Sequence, residues 1–242
     1  MSKLSYQTFV SDGVQRARGA LPSGAPIVSS PITSTLITGA EDALLVDTAD
    51  DDRADRPRGR LARGDRQAAS LYTRRTRTAT TPDFPGLIGE TPLIAQPVPT
   101  AGLALEGESL VPIDVGHTDS DDTTVLHVPS LELVVAGDAV YNGVHQYLFE
   151  AGPGGVGIDP WLAALDRVAA LRSRFVIAGH KNKALPDDPK AIDETRRYLL
   201  DVKRLIATRP TRLAYFEQMV ALYPERLNHG PLWSGAAGLL PA

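Results

Sequence analysis

The chain of 242 residues reads as a layered α/β domain built on β-sheets, and three observations predict this. Residues 103–105, 109–115, 123–127 and 131–136 are short apolar or β-branched runs separated by turn residues, the pattern of successive strands. Residues 160–171 place Trp161, Leu162, Leu165, Val168 and Leu171 on one face at helical spacing, and the buried strand 175–178 follows directly. Two further helical stretches, 188–207 and 211–223, close the chain. Strands, helix, strand and terminal helices in that order suit helices layered against sheets.

Each element has a local reason. Residues 24–48 read as paired strands: 32–37 is β-branched and rich in Thr, and Ala43-Leu44-Leu45-Val46-Asp47-Thr48 is an apolar run ending in a carboxylate. Residues 38–42 between them are turn chemistry. Pro160 lies near the first turn of its helix, where a missing N–H costs least. Residues 24–48 and 84–180 are expected to form two sheets with the helices outside, all within a single domain spanning 1–242. Residues 49–82 break the pattern. They are loaded with Arg, Asp and Thr, show neither helical nor strand period, and read as a poorly ordered linker.

Composition bounds the function. An apolar share of 43 % is that of an ordinary globular protein. A formal net charge of −4 gives no electrostatic reason for a nucleic-acid partner. There is no cysteine, so any metal must be held by His and carboxylates, which suits zinc, iron or manganese. No apolar run reaches membrane-spanning length and the first residues lack a signal-peptide pattern, so the expected location is cytoplasmic.

Three motifs carry the chemistry. Val115-Gly116-His117-Thr118-Asp119-Ser120-Asp121-Asp122, Val134-Val135-Ala136-Gly137-Asp138 and Val176-Ile177-Ala178-Gly179-His180-Lys181 each place a metal-capable side chain past an apolar strand, beside a turn-permitting glycine. Taken singly, each is also ordinary turn chemistry. Together, in this order and spacing, they resemble the later metal motifs of the metallo-β-lactamase superfamily, and the run from Leu44 to Thr48 resembles the strand before that family's signature. The resemblance covers roughly residues 24–48 and 84–240. It implies a four-layer αβ/βα sandwich with a mono- or dinuclear zinc site along one edge. It also implies that His117 ligates a first metal, Asp138 bridges two, and His180 ligates the second.

The family signature H-x-H-x-D-H is missing, because no histidine precedes His117. Residues 75–81, Arg-Thr-Arg-Thr-Ala-Thr-Thr, fall where it belongs. Written with G- or C-ending codons and read one base out of frame, they become H-x-H-G-D-H. We read the segment as a shifted frame of the motif; chance is the alternative, since Arg- and Thr-rich runs yield His and Asp in that frame easily.

Of the other histidines, His127 reads as packed in a strand and His229 as a surface turn. His145 is a candidate substrate contact at the pocket mouth, with a plain loop role as the alternative. Asp119, Asp121 and Asp122 read as partners that orient His117 or as turn caps, with Asp119 and Asp121 as exposed carboxylates able to fill a vacant metal position. The resulting expectation is a metal-dependent hydrolase of an unknown small molecule, impaired by loss of the signature. The alternative is a non-catalytic binding or scaffold protein derived from that fold.

Overall fold

The computed structural model describes residues 3–47 and 102–240. The expected linker at 49–82 and the segment 84–101 lie outside the described residues.

β1 (Ser5–Val10), β4 (Thr33–Thr38) and β5 (Ala43–Val46) form an antiparallel sheet with β4 in the middle. In β4 every other residue is buried, and Ile37 sits opposite Tyr6 on one side and Leu44 on the other. That alternation is what one covered face requires. β2 (Gln15–Ala20) and β3 (Pro26–Val28) pair with each other in a separate ribbon. The strands read at 32–37 and 43–48 are β4 and β5 and pair as a hairpin, whereas β3, within the same stretch 24–48, belongs with β2. The β4–β5 turn is fastened by Glu106, whose carboxylate accepts hydrogen bonds from the N–H groups of Ala40, Glu41 and Asp42 at 2.7–3.0 Å. These three donors hold the Glu106 carboxyl below its usual range.

The second sheet has the order β10-β9-β8-β7-β6, from β6 (Leu103–Leu105), β7 (Glu108–Gly116), β8 (Thr123–Val128), β9 (Leu133–Asn142) and β10 (Phe175–Lys181). β9 and β10 are parallel, so the chain must cross over between them, and helix α1 (Ile158–Ala170) makes the crossing. β9 is almost wholly buried along its length, and its apolar start, Leu133 to Ala136, is what coverage on both faces requires. One face meets the first sheet through Leu4, Ile37, Leu126, Leu133, Val135 and Ile177. The other meets α1 and α2 (Lys190–Ile206) through Val134, Ala136, Trp161, Leu165, Tyr198 and Leu199. The described layers are thus sheet, sheet and helices, as expected.

α3 (Arg212–Leu222) and α4 (His229–Leu239) complete the helical side. His229 is the first residue of α4, which corrects its reading as a surface turn. The sequence hid this helix because Gly230, Pro231, Gly235 and Gly238 are poor helix formers. Packing overrides propensity here: a Cβ at Gly235 would lie 2.7 Å from the backbone nitrogen of Leu148, so only glycine lets the helix approach.

Candidate metal centre

The site gathers residues from the loop after β7, from the middle of β9 and from the end of β10. β10 is shifted in register against β9 on either side of Ala178, and Gly137 adopts φ +50°. These irregularities bring Asp138 and His180 to one place. Gly179 is needed for the same reason, since a Cβ there would lie 2.6 Å from both the Asp138 Oδ1 and the backbone of Gly137. The glycines of the two motifs therefore let two side chains meet across a close backbone contact.

His180 Nε2 lies 3.1 Å from Asp138 Oδ1. Its Nδ1 lies 2.6 Å from the carbonyl oxygen of Pro31, which can only accept, so Nδ1 carries a proton and Nε2 faces the carboxylate. Burial opposes charge on His180. The Asp138 carboxylate outweighs it through its charge and hydrogen bond, the Pro31 carbonyl adds to this, and the imidazole is pushed up to about 9. Burial likewise works against ionised Asp138, and His180 overcomes it and holds that carboxyl below its ordinary value. The site is open on one side, since 47 % of the Asp138 side chain remains accessible against 16 % for His180.

Asp119 supplies the third donor. One ligand atom from each of Asp119, Asp138 and His180 lies within 4.8 Å of the others. Asp119 is only 7 % exposed, which corrects the expectation of an exposed carboxylate. Its Oδ2 accepts a hydrogen bond from the Tyr141 hydroxyl at 2.8 Å, whereas Oδ1 is buried and without a partner. Burial and the nearby Asp138 push its carboxyl well above the usual range. Asp47, at the end of β5 with φ +53°, adds another carboxyl, raised to about 6 by desolvation and by Asp138. It keeps contact with solvent, so water screens that shift.

Of the residues expected to bind metal, the structure brings Asp138 and His180 together, but with Asp119 rather than His117. His117 Nδ1 sits 2.7 Å from Asp121 Oδ1, so Asp121 orients His117 as the sequence suggested. His117 Nε2 is buried, without a partner, against Gly157 at the start of α1. The run Thr118-Asp119-Ser120-Asp121-Asp122 announced carboxylates but not which of them turns inward. That depends on the bond to Tyr141, 22 residues away.

His145 is fully buried. Its Nδ1 lies 3.0 Å from the Tyr198 hydroxyl, and its ring is 5.3 Å from that of His229. His229 in turn lines a cleft of about 500 Å³ together with Val28, Pro31, Arg226 and Asn228. Pro31 is common to this cleft and to the His180 contact. His127 is half-buried on β8, in the strand position expected of it.

Two carboxylates and an imidazole, with one carboxylate oxygen buried and unpaired, fit a divalent ion of the zinc or manganese kind. Three protein donors is also the complement of many catalytic zinc sites.

The described sheets and crossover helix have the metallo-β-lactamase fold. Among solved structures, the chain is similar to a metallo-β-lactamase family protein from Thermus thermophilus, with a TM-score of 0.54 and 15 % identity over 96 % of this chain and 91 % of that one. It is also similar to the metallo-β-lactamase FIM-1 from Pseudomonas aeruginosa in its mono-zinc form, with a TM-score of 0.50 and 14 % identity over 83 % and 92 % of the two chains. No protein-family model and no curated protein matches the sequence. Among the described residues, no helix is long and apolar enough to cross a membrane.

Proposed function

We propose that this chain is a metal-dependent hydrolase of a small molecule, with one zinc-like ion held by Asp119, Asp138 and His180. The observation that carries the reading is the convergence of these three donors within 4.8 Å on a fold shared with a metallo-β-lactamase solved in its mono-zinc form. When bound, the ion would supply Lewis acidity for polarising a carbonyl or phosphoryl oxygen and for acidifying water. The protein's own residues do the rest. Pro31 fixes the His180 ring so that Nε2 faces the site. The bare backbone of Gly179 seats the Asp138 carboxylate. Asp47, whose carboxyl is raised above its ordinary value by desolvation and by Asp138, is a solvent-accessible group near the site able to hold or release a proton.

The reaction is slow in this reading. The H-x-H-x-D-H segment that would complete the centre is absent from the sequence, and a second ion lacks donors among the described residues. That same absence favours the second reading, a non-catalytic binding protein. Zinc content after dialysis, measured with turnover of ester, thioester, lactam and phosphoester substrates, separates them. One bound zinc with slow, chelator-sensitive hydrolysis supports the hydrolase. One bound zinc without turnover favours the binding protein, and no zinc overturns both metal-based readings.

A further inference from the structure

We propose that Tyr141 is a positioning residue for the metal centre: its buried hydroxyl holds one oxygen of Asp119 so that the other is left free as a metal donor. This deepens the proposed function and rests on it.

Three observations carry the inference. The first is the asymmetry of Asp119. Among the described residues its one hydrogen-bond partner is the Tyr141 hydroxyl, on Oδ2, while Oδ1 is buried and bonded to nothing. A buried carboxylate oxygen without a partner is costly unless something of positive charge takes it. The second is the rigidity of Tyr141. It is fully buried. Its backbone N–H donates to the Thr195 hydroxyl at 3.1 Å, and its carbonyl accepts from the same hydroxyl at 3.0 Å. Its ring packs 5.9 Å from Trp161, which is itself fixed by donation from Nε1 to the carbonyl of Ala139. The hydroxyl therefore has a fixed address. The third is that the same ring lies 5.1 Å from His180, so one side chain touches two of the three donors.

The loop carrying Asp119 gives no competing explanation for its orientation. Its internal bonds run from Thr118 N–H to the Ser120 carbonyl and between the Thr118 and Thr123 hydroxyls, and none reaches the Asp119 carboxylate. Tyr141 suits the task chemically. A neutral phenol in a buried place keeps its proton and can only donate to a carboxylate, so it takes one oxygen without competing for the ion. Outer partners of this kind orient ligands and strengthen metal sites.

The test is zinc affinity of the full chain, by competition with a chromophoric chelator, for the parent, Tyr141→Phe, Asp119→Ala and the double variant. Far-UV circular dichroism of each confirms that the fold is retained. The absorption spectrum of the cobalt-loaded protein reports coordination directly. Tyr141→Phe is expected to weaken zinc roughly 10–100-fold and to alter the cobalt bands. In the Asp119→Ala background the same change is expected to add nothing, because the hydroxyl acts only through Asp119. Should Tyr141→Phe bind zinc like the parent, or weaken it equally in both backgrounds, the positioning role is wrong. Should Asp119→Ala bind like the parent, Asp119 is no ligand and the role is again wrong. Failure of the parent itself to bind zinc would instead overturn the metal reading on which the role depends.

Discussion

Two histidines with little solvent contact, in two corners of the same molecule, are driven in opposite directions. His180 sits at the sheet edge against Asp138 and is pushed up to about 9. His145 sits under the C-terminal helices, where burial, His229 and Arg226 push it down to about 3. Around His145 the partners are aromatic or cationic: Tyr198 accepts or donates at Nδ1, and Arg226 stacks over Tyr198 with its Cζ 4.8 Å from the ring centroid. Burial acts against charge on both rings, and only His180 has carboxylates to reverse it. The comparison separates a polar edge prepared for a cation from a packed corner whose buried cation, Arg226, disfavours a second positive charge. Four expected outcomes would break or sharpen it.

The largest effect belongs to the metal. His180→Ala removes one of three donors, so its zinc affinity is expected to fall by more than the roughly 10–100-fold that loss of an outer partner costs. Titration calorimetry of His180→Ala and His145→Ala side by side checks this. Equal weakening in both would erase the distinction between the two corners.

Next is acid stability. His145 has a depressed folded pKa, so its contribution is present above the unfolded value near 6.5 and is lost as pH falls towards about 3. Between pH 7 and 4.5 the parent is expected to lose about 2–3 kcal/mol more than His145→Gln. Urea unfolding at the two pH values decides it, and parallel losses would show that His145 is already charged in the folded protein.

The opposite sign is expected at His180. Its folded pKa is raised, so in metal-free protein its stabilisation is complete below the unfolded value near 6.5 and disappears as pH rises through about 9. The loss is on the order of 3 kcal/mol and should be absent in His180→Gln. Zinc needs the neutral imidazole, so its affinity should climb over the same interval. A zinc affinity flat from pH 6.5 to 9 would contradict the His180–Asp138 pairing.

The smallest effect marks the boundary of the comparison. His127 is half-buried on β8 with no charged partner among the described residues, and desolvation lowers its pKa. His127→Thr suits the strand and is expected to change stability by less than about 0.5 kcal/mol. A larger change in thermal unfolding would make His127 a third structural histidine.

Much of this was legible in the sequence, and the gaps have causes. The strands of the larger sheet stood out because β9 is covered on both faces and so begins with an apolar run, Leu133 to Ala136, while α1 shows its inner face at helical spacing. Asp138 and His180 were legible because each follows a buried apolar run and a glycine. The strands at 5–10 and 15–20 went unread: β2, Gln-Arg-Ala-Arg-Gly-Ala, lies mostly exposed and so carries no alternation to detect. α4 was hidden by glycines that its packing demands.

The sequence by itself determined the strand–helix–strand order, the layering of helices on sheets, and the three motifs that could bring ligands to one edge. It also determined that no cysteine and no early histidine could contribute. Tertiary structure decided which of those motifs' residues meet. His117 and Asp119 are two positions apart, yet Asp119 turns to Tyr141 and the cluster whereas His117 turns to Asp121 and Gly157. It also decided that one histidine is held charged and another neutral. Neither outcome is written in local pattern, because each depends on partners brought from 22 to 149 positions away along the chain. A side chain's direction and charge follow from what the fold places beside it.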